Sequence, residues 1–120
     1  MLKANFITAQ EAAEKIQDGS TLCTIGMTLV SASESILKAI EKRFETVGHP
    51  ADITLVHSCG QSDRKDGIQH LAHEGLVKRI VGSHWGLQPR WMEMIANSQV
   101  EAYCLPQGQI AQLYRSMACG

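Results

Sequence analysis

Leu105-Pro-Gln-Gly108 places a neutral amide, Gln107, between a short apolar run, Val100–Cys104, and a helical stripe of Ile110, Leu113, Tyr114 and Met117. Pro106 lacks a backbone N–H and cannot continue a central strand, and Gly108 allows a tight turn into the helix. Gln107 is thereby carried at the tip of a strand, beside a helix N-terminus. Open α/β sheets bind ligands at such places, and the free N–H groups of a helix start face an anion or a polarised carbonyl.

Other residues suggest different chemistry. Cys59 stands at a strand end before Gly60, and His57 or His84 could activate its thiol, as in a small cysteine hydrolase. A loop thiol is the plainer reading, and no G-x-S-x-G elbow is present. His70, His73 and Glu74 form H-x-x-H-E rather than the H-E-x-x-H zinc pattern, and no third ligand has helpful spacing. They read as surface or loop-packing histidines, so no metal site is expected. Gly26–Ser31 occupies the place of a dinucleotide fingerprint but has one glycine where G-x-G-x-x-G needs three. NAD is unsupported and no bound cofactor is expected. Trp85 and Trp91 suit core packing, with a side wall of the ligand edge as the alternative.

The elements that must position these groups follow from spacing. Thr8-Ala-Gln-Glu11 is a capping box before a narrow stripe of Ala12, Ala13 and Ile16. Leu22–Ile25 reads as a buried strand. Ser31-Ala-Ser-Glu34 repeats the capping signature before Ile36, Leu37, Ile40 and Phe44, with Glu34 and Lys38 paired at i, i+4, and Gly48 and Pro50 closing the helix. Ile53–His57 is the second strand and Ser58–Gly67 a polar loop without an apolar anchor. Ile68–Glu74 reads as a short helix, the end of Leu76–Gly82 as a third strand, and Pro89 as the opening of a helix bearing Trp91, Met92 and Ile95. Val100–Cys104 is then a buried fourth strand. The alternation implies an α/β three-layer sandwich, Rossmann-like, around a mainly parallel sheet of about four strands. Right-handed crossovers gather Gly26–Ser31, Ser58–Gly67, Gly82–Gln88 and Pro106–Gly108 on one sheet edge.

With 120 residues, 1–120 is one domain. Net charge is -1 without a basic block, which argues against nucleic acid, and no apolar run approaches a membrane span. The N-terminus becomes acidic early and lacks the apolar core of a signal peptide, so a cytoplasmic location is expected. Cys23, Cys59, Cys104 and Cys119 are expected as free thiols, with Cys23 and Cys104 acting as small core residues.

The string His73-Glu-Gly-Leu-Val-Lys-Arg79, then Gly82-Ser-His-Trp-Gly86, then Leu105-Pro-Gln-Gly108 resembles the family I acyl-CoA:carboxylate CoA-transferases, in their acetate or propionate branch. Phe6-Ile-Thr-Ala-Gln-Glu-Ala-Ala13 and Gly48-His-Pro50 followed by Leu55-Val56 extend the likeness to nearly the whole chain. The match is to the start of that family's first, α-type domain. The resemblance implies ping-pong transfer of CoA from an acyl-CoA to a small carboxylate, both as substrates rather than cofactors. Gln107 matches the glutamine that donates a hydrogen bond to the oxyanion. Gly26, Gly82, His84, Trp85, Gly86, Pro106 and Gly108 are the matching substrate-binding positions. The family's catalytic glutamate lies in a later β-type domain whose motif is absent here, and Glu74 does not match it. Of the glycine-rich turn after the first strand only Gly26 remains. A chain ending at Gly120 is therefore expected to be a truncated α domain, inactive alone, that pairs with a β-type domain or self-associates. A non-catalytic α/β binding or oligomerisation module is the alternative.

Overall fold

Thr8 opens the first described helix with both halves of the expected box. Its Oγ1 accepts from the Glu11 N–H at 3.2 Å, and Glu11 Oε2 accepts from the Thr8 N–H at 2.7 Å. The computed structural model describes residues 4–120. It contains helices α1 (Ala9–Glu14), α2 (Glu34–Val47), α3 (Pro89–Ala96) and α4 (Gln107–Cys119), and strands β1 (Thr21–Thr24), β2 (Ile53–His57), β3 (Val77–Gly82) and β4 (Glu101–Cys104). The strands lie side by side in chain order and every pairing is parallel.

That order explains where the core sits. Right-handed crossovers advancing in one direction place their connections on one face. Leu37 and Ile40 of α2 and Trp91 of α3 pack there with Leu55 and Ile80 from the sheet, all essentially buried. Alternation turns Cys23, Val56, Val81 and Tyr103, which share one register row, to the other face. Helix α4 returns from the end of β4 to the end of β1, where Tyr114 Oη donates to the Thr24 carbonyl at 2.9 Å. Ile110 and Val56 are buried outside the main core cluster, and they mark the third layer.

Four expectations need correction. β4 is not a buried strand: Tyr103 is 47% exposed and Cys104 is exposed, because β4 borders the sheet with β3 as its strand partner. β1 on the opposite border is likewise not the buried strand expected over Leu22–Ile25: it spans Thr21–Thr24, Cys23 is exposed rather than a core residue, and Ile25 lies past its end at 66% exposure. Ser31 does not cap α2. It sits at φ 63° beside a Met27–Val30 bridge, and Ser33 takes the cap position without a side-chain bond. The helix expected over Ile68–Glu74 is a 3-10 turn, Gly67–Leu71, because Ala72 leaves helical geometry at ψ 68°. Among the described residues, no helix is long and apolar enough to cross a membrane.

Candidate functional site

The loops after the four strands meet on one rim and are tied in sequence order. The Thr28 N–H donates to the Gly60 carbonyl at 2.9 Å, joining the loops after β1 and β2. Ser83 Oγ donates to the Ser58 carbonyl and the Trp85 indole N–H to His57 Nε2 at 3.0 Å, joining those after β2 and β3. The Leu105 N–H donates to the Gly82 carbonyl at 2.9 Å, and Cys104 Sγ to the Ser83 carbonyl at 3.2 Å, adding the loop after β4. The Ser58–Gly67 loop is held by polar bonds where the sequence offers no apolar anchor. Gln61 is buried and its Nε2 donates to the Thr24 carbonyl at 2.9 Å, while the Gly67 N–H donates to Glu34 Oε2 at 2.9 Å.

Gln107 is exposed in the first turn of α4. Pro106, at φ −55° and ψ 142°, makes the turn, whereas Gly108 already lies within the helix. The turn therefore does not require the glycine, and a Cβ there would meet nothing within 4 Å. Gly26 differs, since φ 139° suits glycine and a Cβ would fall 2.8 Å from the Val30 carbonyl oxygen. His84 and Gly86 are exposed on the turn after β3; Trp85 is nearly buried. Gly82 is buried against the His57 ring, with its missing Cβ 2.2 Å from Nε2.

Cys59 Sγ lies 3.8 Å from His84 Nε2. His57 faces the Cys59 carbonyl rather than its thiol, with Nδ1 3.0 Å from that oxygen. Burial pushes His57 down to about 4, while the Cys59 carbonyl resists and His84 adds a smaller push downward. His57 is thus neutral at pH 7 and bonded away from the sulfur. Cys59 and His84 are one pair in reach, and no hydrogen bond among the described residues orients His84 Nδ1, so a Cys–His–orienter triad is not assembled.

The coenzyme A transferase family model matches residues 6–120. The chain belongs to the coenzyme A transferase family. It is 36% identical over 116 residues to the caffeate CoA-transferase of Acetobacterium woodii, covering 96% of this chain and 22% of that protein. It is 34% identical over 114 residues to the acetate CoA-transferase YdiF of Escherichia coli strain K12, covering 93% and 22%. The crystal structure of the acyl-CoA transferase YdiF from E. coli O157:H7, a thioester complex with CoA, superposes with a TM-score of 0.87 at 32% identity, covering 94% of this chain and 24% of that one. The chain therefore spans less than a quarter of the length of these relatives.

Within this coenzyme A transferase fold, a second cluster lies where α2, the 3-10 turn and α3 meet. His70 Nδ1 bonds Glu41 Oε2, and its Nε2 is 2.8 Å from Glu34 Oε1 and 3.3 Å from Asp66 Oδ1. His73 Nε2 is 2.8 Å from Glu41 Oε1, and Lys38 reaches Glu34 at 3.1 Å and Asp66 at 3.5 Å. Burial pushes His70 down, but the Glu41 and Glu34 carboxylates outweigh it and raise its pKa. Burial likewise pushes Glu41 up, and the bonds from His73 and His70 outweigh it and hold Glu41 low. Both histidines thus face carboxylates of α2, and the donor atoms of Glu34, Asp66 and His70, and of Glu41, Glu45 and His73, lie within 4.8 Å of one another in each group. Sequence reasoning gave no part to Gln61, and its only signal was a polar residue in a loop lacking apolar anchors.

Proposed function

We propose that these residues form the acyl-CoA-facing rim of an α-type domain, in an enzyme that moves CoA between an acyl-CoA and a short-chain carboxylate. In this reading a glutamate of a β-type domain outside these residues supplies the nucleophile. Its carboxylate oxygen bonds to the acyl carbon, the carbon–sulfur bond breaks, and CoA leaves as the thiolate from a mixed anhydride. The thiolate then attacks the glutamyl carbonyl, releases the carboxylate and leaves an enzyme–CoA thioester. An acceptor carboxylate reverses the sequence. Negative charge collects on the thioester oxygen during attack. The Gln107 amide, held on a helix start, donates to that oxygen, and its bond is strongest when the charge is greatest.

The observation that supports this reading is the exposed Gln107 in the first turn of α4, on the same rim as Gly26 and the turn Gly82-Ser-His-Trp-Gly86. His84, Gly86, Pro106 and Gly108 line the approach, whereas Gly26, Gly82 and Trp85 shape the loops behind it. In the enzyme carrying both domains, Gln107→Ala is expected to lower turnover by about 10²–10³ with the fold unchanged. Unaltered turnover would remove Gln107 from the chemistry.

A specific observation also favours a binding role for the loop after β1. Ile25, Met27 and Val30 are 66%, 60% and 68% exposed, an apolar surface suited to a β-type domain or a second copy. Sedimentation showing only monomer at high concentration would count against self-association. The four free thiols accord with a cytoplasmic location.

A further inference from the structure

We propose that His57 is a positioning residue: a neutral imidazole that bridges the loops after β2 and β3 and sets the seating of the Gly82–Gly86 turn on the rim. What that turn faces rests on the CoA-transferase reading; the bridge itself does not.

The chemistry of the partners fixes the tautomer. An indole N–H only donates, so His57 Nε2, 3.0 Å from Trp85 Nε1, must accept. The single proton of the neutral ring is then on Nδ1, which donates to the Cys59 carbonyl at 3.0 Å. One side chain at the end of β2 thus holds the backbone of its own loop with one nitrogen and the side chain of the next loop with the other. The two rings meet edge-on, with centroids 6.2 Å apart and planes at 66°.

The glycines around it fit the same design. The ring occupies the space a side chain at Gly82 would need, and His84 occupies the corresponding space at Gly60, with Cε1 2.7 Å from a Cβ placed there. Each loop therefore leaves room for the histidine of the other. Around His57 stand Thr24 across the β1 pairing, Cys59 from its own loop, and Gly82, His84 and Trp85 from β3 and its loop. None of these is a carboxylate that would hold a charged imidazole. Protonation would place a second donor against the indole N–H and break the bridge at the Trp85 end. With its N–H engaged and its ring nearly buried, Trp85 anchors the turn, leaving His84 and Gly86 to face outward.

Two substitutions separate the two bonds. The amide nitrogen of an asparagine stands near the Nδ1 position and can still donate to Cys59. The carbonyl of a glutamine reaches the Nε2 position and can still accept from Trp85. At pH 7, nitrogen NMR of the unaltered chain is expected to place the His57 proton on Nδ1, a measurement that needs no variant; an Nε2–H tautomer would overturn the proposal. The Trp85 indole proton is expected to exchange at least tenfold faster in His57→Asn than in His57→Gln. Equal exchange in the two variants would mean that His57 only fills space, and would also overturn it. In the enzyme carrying both domains, acetyl-CoA binding is expected to weaken at least tenfold in His57→Asn relative to His57→Gln. If the unaltered enzyme carrying both domains gives no heat with acetyl-CoA while indole exchange divides as stated, the CoA reading fails and the bridge stands.

Discussion

Two histidines, thirteen positions apart in the chain, have their pKa values pushed in opposite directions by what surrounds them. His57 lies at the rim between an indole N–H and a backbone carbonyl, and burial keeps it neutral. His70 lies on the helical side with both ring nitrogens facing carboxylates, an arrangement that an imidazolium satisfies with two donated bonds. The bonds that His57 makes between the loops after β2 and β3 are between neutral groups, whereas those of His70 are to the carboxylates of Glu41, Glu34 and Asp66.

The sharpest way to break this contrast is pH. The folded value for His57, about 4, lies below the ordinary 6.5, so the unfolded chain takes up the proton first. Its contribution should therefore lower stability by roughly 3 kcal/mol as pH falls from 6.5 to 4. His70 has the opposite sign: its folded value is raised, so its contribution is full below 6.5 and fades as pH rises through the folded value. Urea denaturation across pH should show His57→Gln losing the acid-side decline and His70→Gln losing the alkaline-side one. Identical profiles would erase the distinction.

Next in size is Gly82→Ala. Its Cβ would fall 2.2 Å from a ring held at both nitrogens, and the crowding should cost about 2 kcal/mol by denaturant titration. Glu41→Gln should follow at about 1.5 kcal/mol, since it removes the charged acceptor shared by His70 and His73 on a mostly buried side chain. Lys38→Met should have the smallest effect, close to none in the same titration. Its ion pairs with Glu34 and Asp66 are half exposed and screened by water.

Much of the frame is legible because local rules agree. Ile53–His57 matches β2 residue for residue, Pro89 opens α3, and Gly48 ends α2 in a left-handed conformation. The rim is legible too, since alternating strands and helices leave their loops on one edge. Sheet borders are not: Val100–Cys104 is as apolar as an interior strand, and only strand order makes β4 a border. Ser31 and Ser33 compete for one cap, and the Met27–Val30 bridge decides between them. The His57 bridge and the His70 cluster join residues 28 and 36 positions apart, beyond the reach of any periodicity. A histidine at the end of β2 reads the same whether it binds a substrate, a metal or an indole.

Strand order also sets a length. Neighbouring strands stand about 4.8 Å apart, so three steps carry the rim through roughly 14 Å from the loop after β1 to the loop after β4. An acetyl group is far shorter than that, so no such group can touch Gly26 and Gln107 together. An elongated molecule laid along the border could bring its reactive carbon to one end and a distant portion to the other. The spacing of the polypeptide itself thus works as a ruler along the sheet border.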